Sequence, residues 1–181
     1  MAKVNCYVIA VLGYLIPLLL IFIASVMSGW FNLFNNALSD LGHATRSNVA
    51  LIFNLGLSLG SLFVILFASI YSIRFNKVLS LLLIFSGFSL NLVAIFDEVY
   101  GVTHFVVSVI FFVSLAALLI GYYIVFKNSV LPLLALGVGV LSWFLYFAYR
   151  FPRGAALPEL VSILVVLPIY LDYMRKVCRN T

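Results

Sequence analysis

A chain of 181 residues that is 66% apolar and 8% charged, with a mean hydropathy of +1.27, is not built as a water-soluble domain. Soluble domains are about half apolar and about a quarter charged, and a chain of this length cannot hide so much apolar surface in one aqueous core. The net charge of +5 sits in short loops and at helix ends, where membrane proteins use Lys and Arg to fix orientation, so it indicates no nucleic-acid partner.

About 20 mostly apolar residues are needed to cross the hydrocarbon core as a helix. Six stretches qualify, at about 4–27, 48–73, 78–96, 104–126, 130–149 and 157–174. They predict an all-α fold: one bundle domain over 1–181, with six transmembrane helices and the lipid bilayer as its surroundings. Lys3 ahead of the first run gives it a superficial likeness to a secretory signal. The run is too long for a typical signal and lacks a small-x-small cleavage site, so it reads as a retained helix. Cys6 and Cys178 are the only cysteines, and both fall at helix ends on one side. They read as small apolar residues near the interface, with neither a disulfide framework nor a thiolate metal site expected.

Between the first two spans, Phe31, Phe34, Leu38 and Leu41 recur at helical steps, and Asn32, Asn35, Asn36, Ser39 and His43 recur on the opposite face. The pattern predicts a short amphipathic helix over 30–41, lying in the interface. Trp30 would anchor it there, and Gly42 would end it in a left-handed conformation. A surface helix whose polar face merely meets water is the plainer account of the same pattern. In the second span, Gly56 and Gly60 form a small-residue step that lets two helices approach closely. Asn54 and Asn91 are intramembrane amides, for which interhelical hydrogen bonding is expected.

Asp97 and Glu98 close the third span, and His104 opens the fourth. Asp97, Gly101, His104 and Ser108 would share a stripe if that helix began early, a spacing compatible with an acid/base pair. Headgroup water solvating two helix-end carboxylates is the alternative. Ahead of the last span, Pro158-Glu159 makes a good helix opening, and capping suits Glu159. Arg150 and Arg153 match lipid phosphate oxygens, or serve as interface anchors.

One set of loop ends holds Lys3, Arg74, Lys77, Lys127, Arg175, Lys176 and Arg179, and the other holds Arg46, Arg150 and Arg153. The richer side should be cytoplasmic, placing both termini there in a cell-membrane protein. The poorer side carries Asp40, Asp97, Glu98, Glu159 and both histidines, leaving Asp172 as the one acid opposite. Ionisable groups near a membrane core mark a functional site by default. Asp40, Glu98, His104 and Glu159 are the catalytic candidates. Asn36, Ser39, Asp97, Arg150 and Arg153 are the ligand-binding candidates, all around one outward-facing polar pocket.

No zincin, lipase-type, P-loop or Cys/His metal motif occurs, so no metal or cofactor is implied. Ser39-x-x-x-His43 loosely matches one motif of zinc-dependent membrane hydrolases, but their paired C-terminal histidines are missing. Four blocks match a different family: Trp30-Phe31-Asn32 with Asn36-Ala37-Leu38-Ser39-Asp40-Leu41-Gly42; Ile52-Phe53-Asn54-x-Gly56-Leu57; Thr103-His104-x3-Ser108-x2-Phe111-Phe112; and Gly154-x3-Pro158-Glu159-x2-Ser162. With these the chain resembles the archaeal branch of an uncharacterised membrane family called domain of unknown function 998. The resemblance implies a six-span membrane protein of archaeal source and supplies no activity. Asp97-Glu98 departs from the Pro-Glu or similar pair expected after the third span, which weakens any role specific to Asp97.

Three functions fit this reading. The first is a binding module for a lipid headgroup or a partner membrane protein, and the second is an enzyme using carboxylate/His chemistry on a lipid-linked substrate at the outer leaflet. A small transporter is the third, and it lacks a charged relay across the midplane. The absence of any motif of known chemistry tilts the reading to the binder.

Overall fold

In hydrocarbon no water satisfies a peptide group, so an apolar run that crosses it must bond its own N–H and C=O groups along a helix. The computed structural model, which describes residues 2–127 and 129–180, has six helices long and apolar enough to span a membrane. They are α1 (Ala2–Ser28), α2 (Ala50–Phe75), α3 (Lys77–Ile95), α4 (Val102–Phe126), α5 (Leu131–Tyr149) and α6 (Ala156–Arg179). No strand occurs among the described residues, and the chain is an all-α, multi-pass membrane protein. Asn128, in the expected break between α4 and α5, lies outside the described residues.

Consecutive helices pack side by side, and α6 returns to α1 to close the ring. The small-residue step of α2 lies in close contact with α1. A Cβ added at Gly60 would sit 2.6 Å from Pro17 Cδ, and one at Gly56 would sit 2.7 Å from Leu20 Cβ. Near its end α2 widens into a π-helical turn, Ala68–Ser72, which disturbs the regular carbonyl ladder. The Ala68 carbonyl accepts from Ser80 Oγ of α3 at 2.6 Å, and Ser72 Oγ pairs with Tyr173 OH of α6 at 2.7 Å. Asn76 then starts α3, its Oδ1 accepting from Leu79 N at 2.9 Å.

The closure of α1 against α6 overturns one expectation. Cys6 and Cys178 form a disulfide with Cα atoms 5.7 Å apart, across a sequence separation of 172 residues. Ring closure sets the first and last helices at matching depth, which linear spacing does not reveal. Two tyrosines stitch the same seam: Tyr14 OH donates to Ile163 O at 2.5 Å, and Tyr170 OH to Ala10 O at 2.8 Å.

A second correction concerns residues 30–41, which are not a helix. They run as successive turns, and only Ser39–Gly42 winds into a 3-10 turn. Short polar side chains take the amides that a helix would have used. Asn32 Oδ1 accepts from Phe34 N at 2.9 Å, Asn36 Oδ1 from Asn32 N at 2.9 Å, and Asp40 Oδ2 from Ala37 N at 2.8 Å. The segment dips inward, burying Leu38 and Leu41. Gly42 is not left-handed; Gly29 and Gly101 are the positive-φ glycines among the described residues. Nor does Asn54 bridge two helices, since its Nδ2 donates to the Gly42 carbonyl at 2.9 Å.

Candidate functional site

The inward dip of residues 30–42 is held by the loop ahead of α6. Gly154 N donates to Phe34 O at 2.9 Å, and Ala156 N to Asn36 O at 2.9 Å. A Cβ at Gly154 would collide with the Asn35–Asn36 peptide, so only glycine lets the two backbones meet.

This clip sets residues 36–40 against the carboxylates. Leu38 N donates to Glu159 Oε2 at 2.6 Å, and Ser39 Oγ to Glu98 Oε1 at 2.7 Å. Asn36 Nδ2 and Ala37 N donate to Asp40 Oδ2 at 3.0 and 2.8 Å. Glu159, which capping would turn toward its own helix, is instead committed to the facing loop. Glu98 is half-buried, and its carboxyl is pushed up to about 7. Burial is the main cause, helped by the hydrogen bond and charge of Asp40; the Ser39 hydroxyl and the Arg46 charge act in the opposite direction.

His104 sits in the first turn of α4 and is buried. Its Nδ1 lies 2.7 Å from the Phe96 carbonyl, which can only accept, so Nδ1 carries a proton. In the neutral ring Nε2 is then the acceptor, 3.3 Å from Ser108 Oγ one turn along.

These groups head a cavity of about 1080 Å³ between α4, α5 and α6. Ser39, Glu98, His104, Ser108, Glu159 and Ser162 line its polar end, with His43, Thr45 and Arg46 beside them. Deeper in, the wall is apolar: Phe112, Leu115, Ala116 and Leu119 of α4, Ala135 and Leu136 of α5, Val165 and Val166 of α6. Phe105 and Val113 of α4, and Val140 and Phe144 of α5, line the cavity and are also exposed on the outside of the bundle. The cavity therefore reaches the lipid-facing side between α4 and α5.

Of the residues singled out in the sequence, Ser39, Glu98, His104 and Glu159 line the cavity, whereas Asn36 and Asp40, bonded to each other, do not line it. Asp97 is buried close by but turned away, its Oδ1 accepting from Val99 N at 2.8 Å to hold the turn Glu98–Tyr100. Arg150 and Arg153 are exposed and do not line the cavity. Arg46, Trp143 and Ser162 line it without having been named as site residues, and so does Ser108, which the sequence placed on one stripe with His104. The step from His104 to Ser108 was the available signal for Ser108. Trp143 meets Ser162 only through the packing of α5 on α6, where Nε1 donates to Oγ at 3.0 Å. No cluster of His, Cys, Asp and Glu is arranged to hold a metal among the described residues.

The family described as "Protein of unknown function (DUF998)" matches residues 11–171, and the chain belongs to it. No curated protein and no solved structure matches.

Proposed function

We propose, from membership of that family and the geometry of the cavity, that this protein is an amphiphile-binding module of the outer leaflet. A lipid or lipid-linked molecule would place its head among Ser39, Glu98, His104 and Glu159 and its hydrocarbon in the apolar shaft. The observation that carries this reading is the cavity's division into a polar end and an apolar shaft. From Ser108 to Leu119 the shaft follows α4 for about 16 Å at ~1.5 Å per residue. That is close to the ~15 Å depth of one leaflet of a bilayer with a core of about 30 Å. The volume lies just above the usual range of ligand pockets, roughly 300–1,000 Å³, and the opening between α4 and α5 gives lateral access from lipid. The excess of Lys and Arg at the opposite end supports an outward-facing site with both termini in the cytoplasm, and the sequence blocks support an archaeal source.

Gly139 provides the test. Gly139 lines the cavity and a Cβ there meets nothing closer than 3.9 Å, so a side chain can start there without strain and Gly139→Trp should obstruct the shaft. Native mass spectrometry of gently purified protein should find one lipid retained by the wild type and lost in Gly139→Trp. Equal retention in both would sink the reading.

Glu98 supports a second reading. A carboxyl titrating near neutrality that shares the cavity with a buried histidine suits a general acid or base acting on a lipid-linked substrate. Turnover of supplied lipid-linked substrates, abolished in Glu98→Gln while lipid retention persists, would separate the enzyme from the binder.

A further inference from the structure

The binding reading leaves the chemistry of the head unspecified, and the hydrogen bonds at the polar end narrow it. Glu159 is 9% exposed and lines the cavity. Its Oε2 is occupied by Leu38 N, whereas its Oε1 accepts no hydrogen bond among the described residues. That oxygen opens on the cavity, so the occupant is what can give it a proton.

The protein's own protons at this depth are already directed elsewhere. Ser39 gives its hydroxyl proton to Glu98, Ser162 gives its own to Pro158 O, and His104 gives the Nδ1 proton to Phe96 O. Arg46, the only Lys or Arg among the lining residues, is exposed at the mouth. The inner wall is therefore rich in acceptors and poor in free donors. A phosphate lodged there would meet the carboxyls of Glu98 and Glu159, whose ionised forms repel it, with no inner Lys or Arg to answer it.

Resting on the amphiphile-binding reading above, we infer that the head against Glu159 is an uncharged, hydroxyl-bearing group, a glycerol, polyol or sugar, rather than a phosphate. A hydroxyl donates to an ionised carboxylate and accepts from a protonated one, so it suits the site in either state. An ammonium suits only the ionised state, and Glu98 titrates close to neutrality.

The test uses the full chain, purified in a detergent without a sugar head. The protein is equilibrated with vesicles holding equal mole fractions of a glucosyl diacylglycerol, a phosphatidylethanolamine and a phosphatidic acid of matched chains. Bound lipid is then identified by native mass spectrometry. The wild type should retain the glycolipid over phosphatidic acid by about tenfold, equivalent to ~1.4 kcal/mol. Glu159→Gln keeps an acceptor for Leu38 N and turns an amide N–H toward the occupant, so it should bring the ratio to about parity. Preference of the wild type for phosphatidic acid or phosphatidylethanolamine would overturn the head assignment and leave the binding reading standing. Retention no greater than that of Gly139→Trp, for every lipid, would overturn both.

Discussion

Glu98 holds a proton more tightly in the folded protein than in the unfolded chain, because burial and the Asp40 carboxylate disfavour its charge. Between its ordinary value of 4.5 and about 7 the folded state thus binds more protons than the unfolded state. Stability must fall as pH rises through that window. Thermal unfolding followed from pH about 5 to about 8 should show this decline in the wild type and a flatter profile in Glu98→Gln. Identical profiles would mean that Glu98 does not carry the linkage. Gly154 gives a second prediction at this scale. Gly154→Ala forces the α6 loop off the Asn35–Asn36 peptide, an overpacking worth roughly 1–3 kcal/mol, and should lower the midpoint of thermal unfolding. The acids and His104 were legible in the sequence as chemistry stranded at one end of the bundle. Their hydrogen-bond partners were not: Leu38 N and Phe96 O are backbone groups, and no residue type announces them.

The spans were legible because a lipid-crossing run has one solution for its backbone, whatever its side chains. Residues 30–41 had no such constraint. Their apolar residues fall at helical steps, but Asn32 and Asn36 satisfy nearby amides in turns, and the helix loses. Periodicity put Phe34, Leu38 and Leu41 on one apolar face, whereas the turns bury Leu38 and Leu41 and leave Phe34 exposed. Asn36 is the hub of that turn, since its Oδ1 accepts from Asn32 N and its Nδ2 donates to Asp40. Asn36→Ala should speed hydrogen exchange at the amides of Asn32 and Ala37 and leave the helix interiors protected. Unchanged exchange at both amides would show that the clip to α6 alone holds the segment.

At the scale of the whole molecule, ring closure joins what the sequence keeps farthest apart. The disulfide lies at the end rich in Lys and Arg, the end proposed above to face the cytoplasm. Disulfides form readily in oxidising compartments and rarely in the cytosol, so the bridge and the charge asymmetry pull the assignment of sides in opposite directions. Single cysteines at Lys77 and Arg153, in a chain lacking Cys6 and Cys178, should label from opposite faces of the membrane. Labelling of Lys77→Cys from outside would reverse the topology and place the bridge in an oxidising compartment. Cys6→Ser should cost about 2–4 kcal/mol of stability wherever the bridge forms. The claim on which everything else rests is that the shaft between α4, α5 and α6 holds hydrocarbon. A lipid carrying a diazirine on its acyl chain, photolysed with the protein in vesicles and mapped by peptide mass spectrometry, tests it directly. Labels should concentrate on Phe112, Ala116 and Leu119 of α4 and on Ala135 and Leu136 of α5, and should vanish there in Gly139→Trp. Labels spread over exposed Val8, Leu15 and Phe22 of α1, with none in the shaft, would contradict the account.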